Sequence, residues 1–372
     1  MPNMTPDQIR PRLLLGPGPS PVERRILEAM GRPTVGHLDP QFLDIMDDVN
    51  ERLRRVFQTS NPMTFPISGT GSAGMEAALA NLLEPGDTAI VGICGVFGTR
   101  LAEMARRMGA TVVVVEEEWG RIVPPERLVE AHRAHPDARV LALVLAETST
   151  GAWQPIEEVG AHLAGTDTLF VVDAVTALGG TPVGVDRHHI DACYSGTQKC
   201  LGVPPGLAPV SFSPRAVERI QSRARPCQSW YLDVSLIAGY LGSERRYHHT
   251  APINMIYGLQ EGLRMVEEEG LEARFQRHAD MGAALQKALV DRGFELFAQE
   301  GHRLPQLTSA ALPGGREEAP LRRELLRRYD IEVGGGLGPA AGKIWRVGLM
   351  GAGATSGSVD RLLAAVDELL AA

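Results

Sequence analysis

The chain has 372 residues, 44% apolar and 22% charged, with a net charge of -8. That length allows two domains around a large buried core. The acidic balance and the lack of a basic block argue against a nucleic-acid partner, and no apolar run approaches the ~18 residues of a membrane span.

Taken in order, the first residues, "MPNMTPDQIRPR", lack the apolar core of a secretory signal. The four cysteines, Cys94, Cys193, Cys200 and Cys227, share no metal-ligand spacing. Both features lead to the expectation of a cytoplasmic protein with reduced thiols and no metal.

Short apolar runs then alternate with segments of helical period. "TAIVGI" (88–93), "TVVVVE" (111–116), "VLALVLAE" (140–147), "TLFVVDAV" (168–175) and "APVSFS" (208–213) read as strands. Several are apolar on both faces, as required in a largely parallel sheet covered by helices. Between them, "TRLAEMARRMG" (99–109) and "PERLVEAHRAH" (125–135) carry apolar residues at three- and four-residue spacing. This alternation predicts a doubly wound α/β fold.

Past residue 255 the pattern changes to two long amphipathic helices, short strands "ELFA" and "KIWRVGLM", and a final helix "SVDRLLAAVDELLAA". The expected organisation is an N-terminal arm (1–16), a large α/β domain (17–268) and a smaller C-terminal α/β domain (269–372).

The first chemically pointed segment is "SGTGSAGMEAALA" (68–80), which contains Gly69-x-Gly71-x-x-Gly74 ahead of a helix. A dinucleotide site also needs a carboxylate about 20 residues on, and "TAIVGICGVFG" offers none. A nucleotide P-loop fails as well, because no Lys-Ser/Thr pair follows the glycines. The hydroxyls of Ser68, Thr70 and Ser72 and the free N–H groups of a helix start suit a simpler anion. A plain capped helix start accounts for this segment equally well.

Asp173 falls near the C-terminal end of the strand "TLFVVDAV", where open α/β sheets place their ligands. It is either a ligand contact or a carboxylate bonded to turn amides. Lys199 follows in "YSGTQKCLGVPPG", between small polar residues and a Gly/Pro-rich loop. Burial would lower its pKa and make the amine nucleophilic. An anion cradle, a strand-end carboxylate and a buried amine, in that order, are what pyridoxal 5'-phosphate requires.

On these residues, and on "LLLGPGPSPV", "VFQTSNPMTFPISGTGS", "AETSTG", "DAVTALGGTPVGVD", "YHHTAP", "EVGGGLG" and "KIWRVGLMG", the chain resembles the class V, fold-type-I aminotransferases. Within them it is similar to the alanine–glyoxylate/serine–pyruvate group. The resemblance covers nearly the whole chain. It implies a large domain with a mostly parallel, seven-stranded-type sheet and a smaller C-terminal α/β domain.

The resemblance also implies roles. Lys199 would carry the cofactor as a Schiff base, and Asp173 would keep the pyridine nitrogen protonated. Thr70, Gly71, Ser72 and Gln198 would hold the phosphate. Phe97 would stack on the ring, where many relatives have tryptophan or tyrosine, and Thr148 would stand beside it. Arg346 would grip the substrate carboxylate, with Gly18 lining the substrate side. Tyr247 and Thr250 would reach the phosphate of a neighbouring subunit, making the working unit a homodimer with shared sites. The adjacent His248 and His249 are not expected to bind metal, since neighbouring side chains on an extended segment point apart.

The expected reaction moves an amino group from alanine or serine to glyoxylate or pyruvate. Ureidoglycine–glyoxylate transamination is the nearest alternative. Sulfur chemistry is disfavoured, because no cysteine follows Cys227. A non-enzymatic cofactor binder would be favoured only if Lys199 or Asp173 were missing.

Overall fold

The computed structural model describes residues 5–241 and 245–371. Its centre is a seven-stranded sheet built from β1 (Met63–Ser68), β2 (Thr88–Ile93), β3 (Thr111–Glu116), β4 (Val140–Val144), β5 (Leu169–Asp173), β6 (Ala192–Tyr194) and β7 (Leu207–Phe212). Their spatial order is β1-β7-β6-β5-β4-β2-β3. Strands β3, β2, β4, β5 and β6 run parallel, and β7 is antiparallel to both its neighbours. The mostly parallel seven-stranded sheet expected from the sequence is thus present.

Alternation along the strands divides the core into two layers. On one face Ile90, Leu141, Leu143, Phe170 and Val172 meet Phe42, Met46, Val49 and Leu53 of helix α1 (Pro40–Phe57). On the other, Ala89, Val91, Ala142 and Val171 meet Met75 and Leu79 of α2 (Gly71–Leu82) and Leu101 of α3 (Val96–Arg107). Both faces are covered, which is why β4 and β5 are buried at every position. Strand β3 departs from this pattern. It forms the edge of the sheet, and Val114 in its apolar run is exposed.

Two long helices follow, α4 (Ile253–Glu269) and α5 (Leu271–Val290), joined at Gly270, whose φ of 82° a side chain would strain. A second, antiparallel sheet is built from β8 (Glu295–Leu296), β9 (Leu307–Ala311), β10 (Gly334–Gly335) and β11 (Ile344–Gly348), in the order β8-β9-β11-β10. Trp345 and Val347 of β11 bury themselves with Leu285 and Leu289 of α5 and Leu362 and Val366 of α6 (Ser356–Ala371). Leu13–Leu14, from the expected N-terminal arm, pairs in parallel with Ile331–Glu332, so the arm ends against this C-terminal layer.

Candidate active site

A cleft opens at the C-terminal ends of the parallel strands. Residues from β4, β5 and the turn before α2 line it, together with Phe97, Gln198 and Lys199. Two helix N-termini face this region, and they differ in one decisive respect.

The start of α3 is closed by the protein itself. Val96 N–H donates to Ser149 Oγ at 3.0 Å, and Phe97 and Gly98 N–H donate to Glu147 Oε2 at 3.1 and 3.3 Å. Glu147 is fully buried, and burial raises its pKa against the pull of these N–H donors. A side chain at Gly95 would run into the Glu147 carboxyl carbon at 2.5 Å, so the close approach of carboxylate and helix depends on that glycine.

The start of α2 is open. Thr70, its N-cap residue, makes no side-chain capping bond. Among the described residues the N–H groups of Gly71 and Ser72 find no acceptor. Gly71 presses against Val175, where a Cβ would lie 2.9 Å from a methyl carbon. The Gln198 amide borders the same recess with its Oε1 buried and unpartnered. A half-turn of that amide presents its two N–H donors instead. The glycine-rich turn is therefore the anion site of the two.

Asp173 ends β5 at 2% exposure. Its Oδ1 accepts from Val175 N–H at 2.8 Å and its Oδ2 from the Tyr194 hydroxyl at 3.0 Å. Burial pushes the carboxyl up to about 7, although both donors favour its ionised form. A cation on the cleft side draws such a group back down, and a protonated pyridine nitrogen is such a cation.

Lys199 reaches back to the Pro17 carbonyl, to which its Nζ donates. A Cβ on Gly18 would stand 2.5 Å from Nζ, and Gly18 has a φ of 109°, so only glycine lets the amine occupy this place. Burial draws Lys199 down to about 8 from the ordinary 10.5; the Arg346 charge adds to this and Asp173 opposes it. The neutral amine is the reactive form, so on the ligand-free protein acylation of Lys199 by acetic anhydride is expected to rise with pH and level off above about 8. Peptide mass spectrometry reads this directly. A Lys199 that still gains reactivity beyond about pH 10 contradicts it.

Arg346 sits in the middle of β11, facing Ser309 and Gly334 on its neighbours. Trp345 and Val347 turn into the C-terminal core, which sends Arg346 to the opposite face of the strand. Its Nε donates to the Gly335 carbonyl at 2.7 Å and its Nη1 to the Thr148 carbonyl at 3.2 Å. Thr148 lines the cleft, so these bonds hold the guanidinium at its border. Among the described residues no carboxylate pairs with Arg346, although it is only 7% exposed. A buried guanidinium with unused donors fits a carboxylate ligand.

Two expected site residues lie elsewhere. Tyr247 is 61% exposed, its hydroxyl 3.5 Å from Thr250 Oγ1, and neither borders this chain's own cleft. His248 stacks on Trp230, and its Nδ1 is bonded to Nδ1 of His249, whose Nε2 contacts Ser68 Oγ at 3.0 Å. No group of three His, Cys, Asp or Glu among the described residues is placed to hold a metal ion.

Three residues here escaped the sequence reading: Glu147, Tyr194 and Arg100. Glu147 carried a signal, since it ends an apolar run as Asp173 does. Tyr194 and Arg100 carried none, because their roles depend on contacts between distant segments.

The site residues that line the cleft fit pyridoxal phosphate: open N–H groups with Gln198 for an anion, Asp173 for a ring nitrogen, and the amine of Lys199. Comparison with known proteins agrees. Residues 23–356 match the family described as aminotransferase class-V. The (S)-ureidoglycine–glyoxylate transaminase of Bacillus subtilis is 40% identical over 96% of this chain and 90% of its own. The alanine–glyoxylate aminotransferase of Drosophila melanogaster is 41% identical over 96% and 92%. The crystal structure of an alanine–glyoxylate aminotransferase from Nostoc sp. superposes with a TM-score of 0.96 at 48% identity, covering 99% of this chain and 97% of that one. The chain belongs to the class-V aminotransferase family and is a pyridoxal phosphate-dependent transaminase.

Proposed function

We propose that the protein transfers the amino group of a small amino acid, alanine or serine, to glyoxylate or pyruvate. The observation that carries this reading is a depressed amine, Lys199, in the cleft with an unpaired buried guanidinium, Arg346, held at its border through Thr148. The names of the two relatives above share glyoxylate, which supports it as the acceptor.

Gly71, Ser72, Thr70 and Gln198 would hold the cofactor's phosphate, Phe97 would stack on its ring with Thr148 beside it, and Asp173 would keep the ring nitrogen protonated. When bound, pyridoxal phosphate supplies an aldehyde that condenses with amines and a ring that accepts the electron pair left by a departing proton. Lys199 would be the amine that anchors it. Arg346 would fix the substrate carboxylate through two parallel N–H bonds, which orients the substrate's Cα–H bond in the cleft. The Nζ of Lys199 would be the base at that Cα proton, because burial lowers its pKa toward neutrality and lets it both accept and return a proton. One site serves both half-reactions, so the kinetics are ping-pong.

The working unit is a homodimer. Tyr247 and Thr250 are paired on the surface and away from their own cleft, which suits a contact with a neighbouring subunit's phosphate.

A panel of amino acids in single half-reactions, followed by the cofactor spectrum, tests the donor assignment. Alanine and serine are expected to convert the enzyme fastest; a preference for aspartate or phosphoserine contradicts it. Arg346→Ala in the same panel raises KM for every donor by roughly ten- to a hundredfold, the worth of a charge-assisted pair of bonds. An unchanged KM removes Arg346 from the carboxylate site.

A further inference from the structure

Arg100 is left over when the functional residues have been assigned. It stands one turn along α3 from Phe97, on the same face of the helix, and borders the cleft. Its guanidinium lies over the Phe97 ring, 4.9 Å from the centroid, and its Nη1 donates to Ser72 Oγ at 3.1 Å. Among the described residues that line the cleft, Arg100 and Lys199 are the cationic side chains, with Arg346 at its border. Among the described residues no carboxylate lies within ion-pair distance of it. The nearest acid along the helix, Glu103, is taken by Arg107 at 2.8 Å. A half-buried arginine that the fold leaves without a counter-ion, at the open end of α2, needs an anion from outside the chain.

We infer that Arg100 is a further binding residue for the cofactor's phosphate. This rests on the proposed assignment of that phosphate to the turn at Thr70–Ser72. A phosphate monoester carries close to two negative charges at neutral pH. The N–H groups of α2 supply about half a positive charge, and the Gln198 amide supplies none. Arg100 supplies a full one. The same side chain lies over Phe97, and that contact holds the guanidinium toward the α2 turn.

Comparing pyridoxal phosphate with pyridoxal, which lacks the phosphate, separates this role from a purely structural one. Cofactor-free wild type, R100Q and R100M are titrated with each compound and followed by quenching of tryptophan fluorescence. R100M keeps an apolar stem over Phe97, so it carries the test if R100Q folds poorly. The expected result is a Kd for pyridoxal phosphate raised about ten- to a hundredfold in both variants, with the Kd for pyridoxal changed less than about twofold. Inorganic phosphate should compete with pyridoxal phosphate for wild type and much less for the variants. Equal weakening of both compounds would overturn the proposal by making Arg100 structural, and so would an unchanged Kd for pyridoxal phosphate. Wild type that binds pyridoxal no worse than pyridoxal phosphate would overturn the phosphate-turn assignment itself.

Discussion

Lys199→Ala is expected to yield a folded protein whose transamination falls by about 10⁴-fold or more, with the visible absorbance of the lysine-bound cofactor gone. No other amine can stand in. The chain's remaining lysines, Lys287 and Lys343, are exposed and lie outside the cleft. The loss should fall on function alone. Burial disfavours the charged amine, so removing it is not expected to lower the Tm. Both readouts are simple, a coupled oxo-acid assay and a melting curve. Turnover within about tenfold of wild type would show that Lys199 is not the base.

Asp173→Asn is expected to lower kcat by about 10²- to 10⁴-fold with little change in KM. On the proposed assignment the substrate carboxylate goes to Arg346, which makes no bond to Asp173, so binding survives while the ring nitrogen loses its anionic partner. The substitution has a second consequence. Val175 N–H and the Tyr194 hydroxyl both donate to the carboxylate, one to each oxygen. An asparagine can accept only one of them and turns its own N–H groups on the other, so about 1–3 kcal/mol of stability is lost as well. Tyr194→Phe separates the two effects. It removes one donor that holds the Asp173 carboxyl down, so the carboxyl is protonated up to higher pH and the pH profile of kcat shifts upward. A full rate for Asp173→Asn, with a normal spectrum, would show that ring protonation needs no carboxylate here.

Much of the sheet was legible from local pattern. Strands β2 and β3 begin and end where their apolar runs do, although β2 is buried between two neighbours and β3 forms the exposed edge. Strand β1 was passed over because Pro66 interrupts its pattern, and β6 because three residues carry no period. Helix α3 starts at Val96, ahead of its readable amphipathic stretch, since its cap comes from Glu147 and Ser149. The same contact explains why the glycine turn could not be read alone. Its meaning depended on another helix start in the same region already holding a carboxylate. The role of Arg346 was legible through the family resemblance, and strand alternation between the core positions Trp345 and Val347 explains its direction. Arg100 and Tyr194 were not, since each acts through a segment distant in the chain.

The most direct test is borohydride reduction of the enzyme with pyridoxal phosphate, followed by proteolysis and mass mapping. With three lysines in the chain, every outcome is assignable. A pyridoxyl group on Lys199, absent from Lys287 and Lys343, is the predicted result. Label on either of those lysines, or none on Lys199, would contradict it.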